Sequence, residues 1–146
     1  MPLASADAAA ARRKGGARGF GRKCCIARRE RGRMAQAGGL AAEDIVARHY
    51  LRRGHTIVAH RWRGGGGEID LILRNDTGVV FVEIKQAASI EAAAERLRPA
   101  QIARIQDAIG AFLSGEPDGL MTELRLDLAL VNARGEVHVL ENLMAA

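Results

Sequence analysis

Residues 68–74 (EIDLILR) and 79–85 (VVFVEIK) are short apolar stretches rich in branched side chains, separated by the turn formers Asn75-Asp76-Thr77-Gly78. The pattern predicts a β-hairpin. With a symmetric turn Arg74 faces Val79, and the same register sets Asp70 opposite Glu83 and Glu68 opposite Lys85. Opposed residues share a face, so the four polar groups project from one side with opposed Cβ atoms roughly 5 Å apart. Ile69, Leu71, Leu73, Val80, Val82 and Ile84 take the other side, the expected core face. The polar side also carries Ile72, Val79 and Phe81.

The flanking patterns supply the rest of an α/β domain. Residues 40–53 (LAAEDIVARHYLRR) space Ala47, Tyr50 and Leu51 behind Leu40 and Val46 and stop at Gly54, which predicts a helix. Glu43 falls in its opening turn, where a carboxylate complements the helix dipole. Residues 55–63 (HTIVAHRWR) alternate as a strand, with Ile57 and Ala59 on one side and Val58 on the other. The four glycines 64–67 lack the Lys-Ser/Thr ending of a phosphate-binding loop and precede no helix, which excludes nucleotide binding there and leaves a flexible link. Ser89 caps a short helix over 90–97, and Pro99 opens a second helix to about Leu113. Ile102, Ile105, Ala108, Ile109 and Phe112 form its apolar stripe. Residues 123–131 (ELRLDLALV) set Leu124, Leu126, Leu128 and Leu130 against Arg125, Asp127 and Ala129, and a last strand covers 136–140. The predicted order is α-β-β-β-α-β-β, a mixed sheet flanked by helices.

Two carboxylates about 5 Å apart repel by roughly 3 kcal/mol at an effective dielectric near 20, equivalent to about two pKa units. A shared proton, the Lys85 ammonium or a divalent cation would offset this. Hard oxygen donors beside a lysine suit magnesium or manganese best. A salt-bridged sheet surface is the competing reading of the hairpin alone.

Charge adds a qualification. The 146 residues carry a formal net charge of +5 and a pI near 10.0, as nucleic-acid binders do. Yet residues 1–33 hold ten Lys/Arg against Asp7 and Glu30, and the remainder is net acidic. Residues 1–36 have almost no large apolar side chains, so they are expected to form a disordered basic tail ahead of a domain at 37–146. The tail reads as an arm for phosphate backbones, as an Arg-rich targeting peptide, or as an extension upstream of a start at Met34; the composition break at Met34 favours the last. The only cysteines, Cys24 and Cys25, are neighbours and frame neither a disulfide scaffold nor a zinc site, which suggests a cytoplasmic protein. No apolar run approaches the roughly 18 residues of a membrane span, so no membrane partner is expected.

The motif GEIDLI followed by VFVEIK resembles the YraN family of bacterial proteins, and the wider arrangement is similar to the PD-(D/E)xK nuclease superfamily with its restriction endonuclease-like core. The resemblance covers about residues 38–144 and includes Ala42-Glu43-Asp44, Arg61-Trp62-Arg63 and Pro99-Ala100-Gln101. It implies that Asp70 and Glu83 are ligands of magnesium or manganese, with Glu43 a further ligand and the Ile84 carbonyl completing the shell. Lys85 would position or activate the attacking water. The implied function is a metal-dependent nuclease acting on DNA, branched or processed. The alternatives are a non-catalytic nucleic-acid-binding module with the same fold, and a homodimer joined through a sheet edge or the Leu-rich strand. Glu68 either pairs with Lys85 or supports the site from outside. Gln101 faces the site in related folds, although its helix position alone reads as exposed.

Three positions depart from the resemblance. Ile69 stands where the superfamily name has proline, Gln86 follows Lys85 where a basic residue is common nearby, and Arg61 stands where asparagine is frequent. Trp62 reads as a packing residue rather than a base-stacking platform. The four histidines show no metal spacing and are expected at the surface. Asp127 is expected to pair with Arg125.

Overall fold

In the first helix, α1, over residues 41–51, Ala42, Val46, Ala47 and Tyr50 fall on one side and are buried, whereas Leu51 is 47% exposed and lies outside the expected stripe. Gly54 ends the helix at φ +83°, with its N–H on Leu51 O, a left-handed stop that glycine adopts without a Cβ penalty. The structure is a computed structural model and describes residues 38, 39 and 41–145. The expected tail at 1–36 lies outside the described residues.

The strands are β1 (Thr56–Gly64), β2 (Gly67–Arg74), β3 (Val79–Gln86), β4 (Leu124–Val131) and β5 (Val137–Leu140), joined between β3 and β4 by helices α2 (Ile90–Glu95) and α3 (Pro99–Leu113). They form one five-stranded sheet in the order β1-β2-β3-β4-β5, antiparallel except for the β3–β4 pair. This mixed sheet flanked by helices has the predicted element order and is consistent with a restriction endonuclease-like fold. Ser89 caps α2 by accepting from the Ala92 amide at 3.2 Å, as its position predicts.

Both faces of the sheet are core. Leu71, Leu73, Val80, Val82, Ala129 and Val131 pack under α1, whereas Ile72, Val79, Phe81 and Leu126 pack under α3. Alternation therefore serves two helical layers rather than a core and a solvent side. Leu128 and Leu130 lie with Ala93 of α2, so this part of the leucine face of β4 is covered within the chain. Two expected face assignments change. A register shift at Val58 sends Ile57 to the α1 layer and Ala59 to the α3 layer, and Ile69 joins the α3 layer although Leu71 and Leu73 face α1. Asp127 is fully buried on β4. It accepts from Tyr50 Oη at 2.8 Å and Asn142 N at 3.0 Å. Burial and the Asp127 charge push the Tyr50 phenol well above its ordinary range. The predicted Arg125–Asp127 ion pair forms at 2.9 Å, by proximity rather than by an aligned hydrogen bond from Arg125 Nε.

The glycine run is a tight turn and not a flexible link. Gly64 pairs with Gly67, and Gly65 and Gly66 take φ +60° and +82°, as a two-residue turn of type I′ requires. The turn lies directly on the α3 backbone: a Cβ on Gly67 would stand 2.2 Å from Arg104 O, and one on Gly65 2.5 Å from Asp107 O. Trp62 packs in the α3 layer, edge-on to Phe112 at 5.4 Å. Gly67→Ala is accordingly expected to destabilise the fold by about 1–3 kcal/mol. Gly110→Ala, inside α3 with open space around it, should stabilise by up to about 1 kcal/mol. Urea midpoints of the two variants check both signs.

Candidate active site

The predicted hairpin register is correct over its first four pairs, Arg74 with Val79 through Leu71 with Val82, and then the ladder stops. Beyond that point β2 continues against β1, with Ile69 opposite Trp62 and Glu68 opposite Arg63, while β3 continues against β4. Asp70 and Glu83 thus sit where the two strands part and are not a ladder pair. The parting leaves the Ile84 N–H without a β2 carbonyl. Asp70 Oδ2 takes that place, accepting from Ile84 N at 2.8 Å. An unpaired backbone donor is costly when buried, so the aspartate closes the sheet at the split.

Glu83 is buried, and its Oε1 accepts from Lys85 Nζ at 2.8 Å and from Gln101 Nε2 at 2.6 Å. Gln101 is half-buried on the first turn of α3 and faces the site, contrary to its exposed reading. Glu68 does not meet Lys85. It pairs with Arg63 at 2.7 Å and stands 4.0 Å from Arg61, because the tight glycine turn places β1 rather than β3 beside it. Glu43 reaches in from α1, buried, with its Oε1 accepting from Arg61 Nε at 2.9 Å. Arg61 stands at φ +47°, in the left-handed region, where β1 lies alongside Asp70.

Glu68, Asp70, Glu83 and Gln101 open on a cleft of ≈ 740 Å³ lined also by Arg63, the glycine turn, Arg104 and Ile105. Its two lining cations, Arg63 and Arg104, were not singled out from the sequence as site residues. Both had a signal. Arg104 follows Gln101 by one helical turn, and a turn centred on Gly65-Gly66 puts Arg63 opposite Glu68.

Burial, and next the Glu83 charge, push the Asp70 carboxyl up to about 7; the nearby Glu43 adds to this, and the Ile84 amide and Lys85 oppose it. Asp70 Oδ1 and Glu83 Oε2 make no hydrogen bond among the described residues, so each carboxylate keeps one free oxygen. Among the described residues no group of three or more His, Cys, Asp or Glu side chains is gathered to hold a metal ion. Two carboxylates with room for water are nevertheless a donor set that magnesium accepts, since that ion keeps several of its waters.

The sequence pattern of uncharacterised protein family UPF0102 matches residues 42–131, a span that contains Glu43, Arg61, Glu68, Asp70, Glu83, Lys85, Gln101 and Arg104. The chain is 51% identical over 114 residues to a UPF0102 protein of Ruegeria sp. (strain TM1040), covering 78% of this chain and 92% of that protein. It is 49% identical to one of Roseobacter denitrificans, with 82% and 92% covered, and 48% identical to one of Cereibacter sphaeroides (strain ATCC 17023), with 79% and 98% covered.

The Asp70 carboxyl has an ordinary value of 3.8 and stands near 7 in the folded chain, so folding takes up a proton between those values. Stability from this group is complete below the lower value and is lost as pH rises through 7. Metal-free protein should therefore lose stability across neutral pH. Asp70→Asn, which still offers the Ile84 amide an oxygen, should lose less. Denaturant titrations on either side of pH 7 measure the difference.

Proposed function

The chain belongs to uncharacterised protein family UPF0102, and we propose that it is a metal-dependent nuclease hydrolysing phosphodiester bonds in DNA, on branched or otherwise processed strands. The observation that carries this reading is the split between β2 and β3, which leaves Asp70 and Glu83 lining one cleft, with Lys85 bonded to Glu83 beside it. The cytoplasmic setting suggested by the two cysteines fits a nucleic-acid substrate, and no helix among the described residues is long and apolar enough to cross a membrane.

Asp70 and Glu83 would hold magnesium or manganese through their free oxygens. The ion, when bound, supplies polarisation of the phosphoryl oxygen and acidifies water. The chain's own residues do the remainder. Gln101 and Lys85 fix the Glu83 carboxylate through its other oxygen, which leaves one orientation for the ligating atom. Lys85, half-buried and bonded to Glu83, would place a positive charge beside the reacting centre, where it stabilises developing negative charge. Arg63 and Arg104 line the same cleft and suit phosphates flanking the scissile bond. The acidic body agrees with recognition through this narrow basic rim rather than through a broad positive face.

Branched, single-stranded and duplex DNA incubated with the protein and magnesium or manganese test the proposal. Cleavage should fall by about 10²-fold or more in Asp70→Ala and Lys85→Ala. Arg104→Ala should instead weaken binding and lower its salt slope by about one. Salt-dependent binding that survives Asp70→Ala, with no cleavage by the wild type, would make the protein a non-catalytic binding module.

Metal affinity should rise with pH up to about 7 and level off above it, because the Asp70 proton competes with the cation. Titrations with manganese over that range measure the profile.

A further inference from the structure

With the cation held by Asp70 and Glu83, as the metal-dependent reading has it, Glu43 is left without a part, and a role for it rests on that reading. Its carboxylate comes from the opposite helical layer, is buried, and lies near enough to Asp70 for its charge to be felt there. It is not gathered with Asp70 and Glu83 into a three-carboxylate group among the described residues, and its Oε1 is taken by Arg61 Nε at 2.9 Å. Arg61 is held in an unusual way. At φ +47° its backbone occupies a region that residues with a Cβ seldom adopt, at a cost on the order of 1–3 kcal/mol. That conformation occurs on β1 where the strand passes Asp70, and the same side chain also stands 4.0 Å from Glu68. The guanidinium is thus placed between two carboxylates, Glu43 of α1 and Glu68 of β2. With 43% of its side chain exposed, Arg61 is not held there by packing alone.

We propose that Arg61 is a positioning residue that masks Glu43, so that the cleft holds its cation through Asp70 and Glu83 and not through three carboxylates. The mask sets cation affinity. A three-carboxylate site would bind the metal more tightly and would bring a further negative charge against an incoming phosphodiester. With Glu43 neutralised internally, the site keeps open positions for water and substrate oxygens.

Isothermal titration of the full chain with Mn²⁺ alone tests this, using wild type, Arg61→Asn, Glu43→Gln and the double variant. Asparagine tolerates the left-handed backbone, and Arg61→Gly serves as a second variant with no strain at all. Arg61→Asn and Arg61→Gly are expected to bind Mn²⁺ about tenfold more tightly than wild type, equivalent to about 1.4 kcal/mol. The gain should vanish when Glu43→Gln is added to Arg61→Asn. An equal gain with and without Glu43 is what loss of a nearby positive charge gives by itself, and it would overturn the mask, as would no gain in either Arg61 variant. Those results leave the metal site standing. Absence of Mn²⁺ binding in wild type and in every variant would instead overturn the metal site, and the mask with it.

Discussion

The hydrogen-bonded ladder between β2 and β3 ends one pair before two carboxylates would have met, and the site depends on that ending. Had the pairing run on, Asp70 and Glu83 would share a sheet surface at a repulsive distance. Instead each strand continues with its outer neighbour alone, β2 with β1 and β3 with β4. The opening carries an amide that needs an acceptor, and Asp70 provides it from a side chain. One carboxylate oxygen is spent on the fold and the other remains free, and Glu83 divides its oxygens in the same way between Lys85 with Gln101 and the cleft.

Two packing features hold the split in place. The glycine turn between β1 and β2 touches the α3 backbone closely enough to exclude any side chain, which fixes α3 and with it Gln101 and Arg104. On the other face α1 is tied to β4 through Tyr50 and the buried Asp127, and it brings Glu43 toward Asp70 from that side. The fold therefore brings charged groups of both helical layers toward the split.

Much of this was legible in the sequence because it follows from short-range rules. The strands, the Ser89 cap, the Pro99 start of α3 and the hairpin register at its turn end follow from alternation, capping and turn chemistry. What was hidden depends on irregular backbone or on partners distant in sequence. The bulge at Val58 and the left-handed Arg61 change which face a residue takes, and no alternation pattern encodes them. Glu68 was expected beside Lys85 by extending the ladder, but the second hairpin, centred on Gly65-Gly66, claims it for Arg63. Gln101 looked exposed because an isolated polar residue in a first helical turn usually is; its partner on β3 decides otherwise. The positive φ at Arg61 is a conformation that asparagine adopts at lower cost, so the residue type there did not announce it.

As proposed, Asp70 and Glu83 form a single divalent-cation site at the β2–β3 split. Paramagnetic broadening of backbone amide resonances by Mn²⁺ locates a bound ion without depending on turnover. Broadening is expected to centre on Asp70, Ile84 and Gln101, to saturate with added Mn²⁺, to be reversed by chelator and to be absent in Glu83→Ala. Broadening spread over surface carboxylates, or unchanged in Glu83→Ala, would contradict it.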